Sequence, residues 1–375
     1  MEKKTHMISE EHLYAIALRE CKLIGDITFY KLVRIFGSAK ETWENVKKEY
    51  KKTNGIGLKI ISDIGNIDHL KFAEKEIKFC QENNIKIRLR HYNELPSLLS
   101  ECDDAPSILY QKGNFKKEVK TLSIVGTRNM TSYGEKFIHD FFIETKSDQY
   151  TSVSGLALGV DKEVHEQSIN HHIPTVAVLA HGFNFLYPSK NRKLSEKILS
   201  ENGALVTEFA SSRKPDRENF IQRNRIVAGI SPSTIVIETG FGGGSISTAT
   251  FANNYNRDVF ALPGKITDKY SQGCNHLIFQ NKATAISSIK NLTESLGLGK
   301  YKHQMEELFP QNKSILELTE NQELIYKLIK KNPQVFLNDL IEKTDLSSHK
   351  ILPLILELEL LGKVKTLSGR QFIAI

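Results

Sequence analysis

Between residues 122 and 262, short apolar runs alternate with stretches of helical periodicity, and few architectures satisfy that alternation. The apolar runs lie at 122–125, 150–153, 175–179, 204–206, 234–237 and 259–262. Helical stretches at 135–145, 160–170, 192–200, 219–229 and 246–254 separate them. Strands that are apolar on both faces belong in a parallel sheet covered by helices on each side. The expected fold class is therefore α/β, a doubly wound, mostly parallel sheet spanning residues 76–295.

The flanks read differently. A chain of 375 residues exceeds one ordinary core. Residues 1–75 carry apolar positions at helical spacing, such as Leu13, Ile16 and Ala17, then Phe29, Leu32, Val33 and Phe36. Gly55-Ile56-Gly57-Leu58 suits either the turn of a helix-hairpin-helix or a compact, SAM-like helical module with glycine caps. Gly297, Gly299 and Pro310 mark a linker over 296–311. In 312–375, Leu324, Ile325, Leu328 and Ile329 form one helix face, and Val335 to Ile341 is expected to be the beginning of a second helix. Ser347 caps a third helix, which Pro353 should bend and Gly362 should stop. Two strands joined at Ser368-Gly369 complete a small winged helix.

Composition narrows the function classes. The net charge of +7 favours a polyanionic partner. Cys21, Cys80, Cys102 and Cys274 are scattered, with no Cys-x-x-Cys pair, which argues against a disulfide framework, a metal cluster or a resident cofactor. Glu10, Glu11, Arg19 and Glu20 interrupt the only candidate for a leader, and no run is apolar enough to span a bilayer. A cytoplasmic location without a membrane partner follows.

In a doubly wound sheet, ligands bind beyond the carboxyl ends of the strands, and the chemically suggestive residues fall there. Gly126-Thr127-Arg128 follows the first strand, and Ser154-Gly155 with Gly159 follows the next. Lys190 lies after Tyr187-Pro188. Arg223-Asn224-Arg225 and Gly242-Gly243-Gly244-Ser245 lie at later edges. Arginine can fork onto a phosphate, Asn224 can hydrogen-bond a base edge, and a glycine loop can lie flat against a backbone. Several cationic loops converging on one rim suit an extended polyanion, and no helix suits a groove, so single-stranded DNA is the expected ligand. Arg128, Arg223 and Arg225 should then be partly exposed and dominate affinity, with Lys190 secondary. Asp161 and His165 stand at i and i+4, either as an acid–base pair or as orienters of the glycine loop. No nucleophile elbow, P-loop or metal-ligand set is present, so no catalytic residue is assigned.

These residues also carry a resemblance. Ile124-Val-Gly-Thr-Arg128, Ser154-Gly-Leu-Ala-Leu-Gly-Val-Asp161 with His165, Phe220 with Arg223-Asn-Arg-Ile-Val-Ala-Gly229, and Asn256-Arg-Asp-Val-Phe-Ala-Leu-Pro-Gly264 stand in order. Together they resemble the DNA-processing protein A family. Leu158 replaces a residue that is often arginine there, and Ile246-Ser247 departs from its usual apolar pair. The resemblance implies a Rossmann-like core that binds single-stranded DNA and dimerises through that core. It also implies loading of the RecA recombinase onto incoming DNA during natural transformation. An alternative from another class is a Rossmann-like nucleotide-processing hydrolase, of which Glu238 with Gly242–Gly244 gives a partial echo. A transcriptional regulator is a third, disfavoured by the apolar helix that follows Ser347-Ser-His-Lys350.

Overall fold

The structure is a computed structural model, and it describes residues 9–49, 51, 53, 55–298, 318–332, 335–344, 346–367 and 371–374. Two compact units form, Met1–Lys302 and His303–Ile375.

The first unit is built on one nine-stranded sheet. Its strands are β1 (Ile85–Leu89), β2 (Ile108–Gly113), β3 (Thr121–Val125), β4 (Thr151–Ser154) and β5 (Thr175–Val178), then β6 (Ala204–Thr207), β7 (Ser233–Val236), β8 (Asp258–Ala261) and β9 (Thr284–Ala285). Their order across the sheet is β1-β2-β6-β5-β4-β3-β7-β8-β9. All pairings from β6 through β9 are parallel. The β1–β2 and β2–β6 pairings are antiparallel. This is the expected doubly wound, Rossmann-like α/β fold with an antiparallel edge.

Alternation along each strand explains why both faces are covered. Val125 and Val236 point into a core shared with Ile226, Val227, Ile230 and Ala249 of the Arg217–Ile230 and Gly244–Asn254 helices. Ile124, Ile235 and Ile237 point into the opposite core, with Ile138, Phe141, Phe142 and Val164 of the Ser132–Thr145 and Val160–Asn170 helices. Helix starts are set by side chains that accept orphan amides. Thr131 accepts from the Tyr133 amide, and Asp216 accepts from the Glu218 amide at 2.9 Å.

The N-terminal helices Glu10–Glu20, Asp26–Phe36, Ala39–Asn45, Leu58–Ile61 and Ile67–Glu82 pack on the antiparallel edge. Phe29 and Leu32 share a core with Ile85, Ile87 and Leu89 of β1 and with Ile108 and Tyr110 of β2. Gly57 is the N-cap of the four-residue Leu58–Ile61 helix.

The second unit contains helices Glu320–Lys331, Leu337–Thr344 and Ser348–Leu360 with a three-stranded antiparallel sheet. Its strands are β10 (Val335–Phe336), β11 (Val364–Leu367) and β12 (Gln371–Ala374), in the order β10-β12-β11. Ile325, Ile329, Leu340, Ile351, Ile355 and Phe372 fill its core. One expectation is corrected: Val335 and Phe336 are strand, pairing with Phe372 and Gln371, and the helix begins only at Leu337. Pro353 stays inside the third helix. The Ser368-Gly369 turn, Gly299 and Pro310 lie outside the described residues. No helix among the described residues is long and apolar enough to cross a membrane.

Candidate nucleic-acid interface

Strand β3 has β4 on one side and β7 on the other, so the chain winds away from it in two directions. A crevice opens outside the carboxyl ends of such a strand pair. Here it is a cleft of about 370 Å³. Its lining includes Gly126, Arg128, Gly155, Arg223, Asn224, Gly242, Gly243, Gly244 and Ser245, so nine of the twelve residues expected at the site come together.

The remaining three do not line it. Ser154 is fully buried, and its hydroxyl donates to the Ile124 carbonyl at 2.7 Å, which ties β4 to β3. Lys190 is exposed on the Ser189–Asn191 turn, away from the cleft lining. Arg225 is buried on the other side of its helix. Its guanidinium lies 2.5 Å from Glu208 and 3.2 Å from Asp26, and it donates to the Asp104 carbonyl. Burial alone would lower the pKa of Arg225, but Glu208 and then Asp26 outweigh it and hold the pKa up. Partial exposure was expected of all three arginines, and the structure corrects this for Arg225 and Arg223. Arg223 and Arg225 stand two positions apart on the helix, about 200° around its axis, so when one faces the cleft the other faces away.

Arg223 belongs to the wall of the cleft, not its mouth. It is 4% exposed and donates to the carbonyls of Gly155, at 2.7 Å, and Val178. A Cβ on Gly155 would sit 2.4 Å from that guanidinium, so only glycine leaves room for it. Burial lowers the pKa of Arg223 to about 10, with Asp161 opposing, and the side chain stays charged at neutral pH. Asp161 in turn accepts from the amides of Gly155, at 3.1 Å, and Ala157, at 3.3 Å. Burial raises the Asp161 pKa, and Arg223 is the main opposing influence. Asp161 thus orients the glycine loop. His165 bonds Thr175 at 2.7 Å and not Asp161.

That histidine yields a pH prediction. Burial, reinforced by Arg223, lowers the His165 pKa to about 3. The unfolded chain therefore takes up this proton first, so the stabilisation is present above about pH 6.5 and is lost as pH falls towards about 3. Between pH 7 and pH 5 the loss from His165 should be about 2 kcal/mol. Urea unfolding of wild type and His165→Asn at both pH values tests it. An equal drop in both proteins would remove His165 as the source.

Across the cleft, the glycine loop prepares a helix start. Gly242 has φ +68, and the Gly244–Asn254 helix begins two residues later, with its unpaired amides at the cleft. Asn224 pins the loop by donating to the Gly244 carbonyl at 3.1 Å and the Ser247 hydroxyl at 2.9 Å. The Ser245 hydroxyl is buried in the cleft wall without a hydrogen-bond partner among the described residues. Glu238, the hydrolase-like carboxylate, is 3% exposed and accepts from the Thr131 amide at 2.8 Å and hydroxyl at 2.5 Å. It is engaged in starting the Ser132–Thr145 helix.

The mouth is aromatic and cationic. The exposed Arg128 stands 5.5 Å from the Phe220 ring centroid, and Tyr187 meets Phe220 edge-on at 5.5 Å. Phe241 projects from the glycine loop with 65% exposure. Lys269 and Tyr270 line the cleft from the loop after β8, and Arg217 lines a neighbouring hollow with Arg128 and Phe220. Phe241, Lys269, Tyr270 and Arg217 escape the sequence reading. The signals are there: Phe241 is an aromatic set among glycines, and Lys269-Tyr270 follows Pro263-Gly264 at the same sheet edge.

Comparison with known proteins agrees with this architecture. Residues 86–297 match the family described as DNA recombination-mediator protein A. Protein Smf of Synechocystis sp. is 32% identical over 300 residues, covering 78% of this chain and 74% of that protein. The DNA processing protein DprA of Bacillus subtilis is 35% identical over 216 residues, covering 57% of this chain and 71% of that one. The X-ray structure of DprA from Streptococcus pneumoniae superposes with a TM-score of 0.64 at 26% identity, covering 76% of this chain and 98% of that one. A structure of DNA processing protein A from Helicobacter pylori, described for its single-stranded DNA binding mode, gives 0.51 at 27% identity over 56% of this chain and 95% of that one.

Proposed function

We propose, from the premise that this chain belongs to the DNA recombination-mediator protein A family, that it binds single-stranded DNA along the switch-point cleft. The observation that carries the reading is the mouth itself. Arg128, Phe220, Tyr187 and Phe241 place cations and π-faces beside a glycine loop and an open helix start. Phosphates of a flexible strand would meet Arg128, Lys269, Arg217 and the amides at the Gly244–Asn254 helix start. Unstacked bases would meet the rings. Stacking tolerates any base, so sequence preference should be weak. A duplex hides its bases and needs an element that enters a groove, and the cleft is recessed between loops. Arg223 contributes a fixed positive potential from behind the wall, and Arg225 takes no part.

The wider role follows the relatives. The chain would protect incoming single strands and help load the RecA recombinase during natural transformation, acting as a dimer through its Rossmann-like domain. The order of helices and strands in the second unit suits a winged helix. Tight engagement of Glu238 with Thr131 supports a binding protein over a nucleotide hydrolase.

Fluorescence anisotropy with matched single-stranded and duplex oligonucleotides tests the binding reading. Single strands should bind at least tenfold more tightly. Affinity should fall linearly in log–log form with salt, because each neutralised phosphate releases counterions. Equal affinity for both forms would reject the cleft as the site. Release of base or phosphate from nucleotides, abolished by Glu238→Gln, would reject the binding-protein reading.

A further inference from the structure

The N-terminal helices bring together three side chains that lie far from the proposed DNA cleft in sequence. Cys21 is the C-cap of the Glu10–Glu20 helix, Asp63 lies in the turn after Leu58–Ile61, and His69 sits in the first turn of Ile67–Glu82. The Cys21 sulfur, an Asp63 carboxylate oxygen and a His69 ring nitrogen all lie within 4.8 Å of one another. We propose that Cys21, Asp63 and His69 form a binding site for a divalent transition-metal ion of the zinc type.

Three features support this. The first is donor chemistry: thiolate, imidazole and carboxylate are the ligand types that zinc accepts together in a tetrahedron. In such a site donors stand roughly 3.3–3.8 Å apart. Asp63 Oδ2 and His69 Nε2 are 3.0 Å apart, so small side-chain adjustments reach that geometry. The second is support behind the donors. The Lys22 amide donates to Asp63 Oδ2 at 3.2 Å, which orients the carboxylate towards the ring. His69 Nε2 is buried and already turned towards the Asp63 carboxylate, 3.0 Å away. The third is an entry path. Glu20, Cys21 and Lys22 line a cleft of about 1080 Å³ between the helical module and the sheet, which reaches the cysteine side of the cluster, and Asp63 is partly exposed to solvent.

The chemistry balances simply. The metal displaces the Cys21 thiol proton to solvent, forms a sulfur–metal bond and loses hydration waters to the imidazole and carboxylate. Affinity should therefore rise with pH. The bound ion would clip the end of the first helix to the turn before the last one, stiffening the module. Cysteine spacing along the chain offers no hint of such a site, because it uses one cysteine and ligands 42 and 48 residues further on.

The test uses the full chain stripped with a chelator and dialysed. Titration with cobalt(II) should produce a thiolate-to-cobalt charge-transfer band that saturates at one ion per chain and is displaced by zinc. Cys21→Ser should abolish the band, and His69→Gln or Asp63→Asn should weaken binding at least tenfold. Cys102→Ser and Cys274→Ser should leave it unchanged. Absence of the band, or a band that survives Cys21→Ser, overturns the proposal. If Cys21→Ser fails to fold, Asp63→Asn and His69→Gln decide it by calorimetric zinc titration, where wild-type affinity in both rejects the site.

Discussion

Arg225→Ala should destabilise the first unit by about 3–5 kcal/mol while leaving single-stranded DNA affinity per folded molecule unchanged. The side chain is 7% exposed, and its carboxylate partners Glu208 and Asp26 are 2% and 10% exposed. Removing the guanidinium leaves the buried Glu208 without its cation. Asp26 keeps Arg19 at 3.1 Å and the Ser107 amide at 2.7 Å, but among the described residues Glu208 keeps the Gln222 side-chain amide alone, at 2.9 Å. Most of the cost should therefore sit at Glu208. The double change Arg225→Met/Glu208→Leu should recover much of the loss, because two apolar side chains replace an ion pair without leaving a charge behind. Urea unfolding of the three proteins beside DNA titrations measures this. A stable Arg225→Ala that binds DNA poorly would return Arg225 to the binding surface.

Arg128→Ala should weaken single-stranded DNA binding about 10–100-fold, which is about 1.4–2.8 kcal/mol, with almost no change in stability. Arg128 is exposed, and its guanidinium lies over the Phe220 ring. The salt slope should flatten by about 0.7 for each lost phosphate contact on a single strand. Phe241→Ala separates the two physical contributions. It removes a stacking face worth about 1–3 kcal/mol per base but no charge, so affinity should fall while the salt slope stays as in wild type. Arg128→Lys should restore the slope more fully than the affinity, since lysine keeps the charge and loses the planar fork. A flat slope in Phe241→Ala, or an unchanged one in Arg128→Ala, would contradict the assignment of charge to one residue and stacking to the other.

The parallel core is legible because its strands are apolar on both faces, so 122–125 and 234–237 stand out in any window. The antiparallel edge is not. In β1, Lys86 and Arg88 interrupt the apolar run, and Arg88 is nonetheless buried, donating to the Phe115 carbonyl and lying 5.9 Å from the Phe115 ring centroid. A buried cation that meets a carbonyl 27 residues away leaves no local mark. The same physics divides the site. Glycines and the exposed Arg128 follow from their place after strands, whereas Arg223 and Arg225 look like Arg128 in sequence and differ only in what the fold packs against them. Val335-Phe336 shows a third limit, since two residues of strand are defined by partners 37 and 35 residues away.

The close approach of Gly155 to Arg223 has a bearing on how this protein can change over generations. An alanine at 155 collides with the guanidinium, and a shorter side chain at 223 abandons the carbonyls of Gly155 and Val178. Either step alone should cost stability, and their effects in one chain should be far from additive. The two positions are therefore inherited as a single character. A lineage can leave this pairing only by crossing a valley, and any descendant with a larger residue at 155 should carry a smaller one at 223.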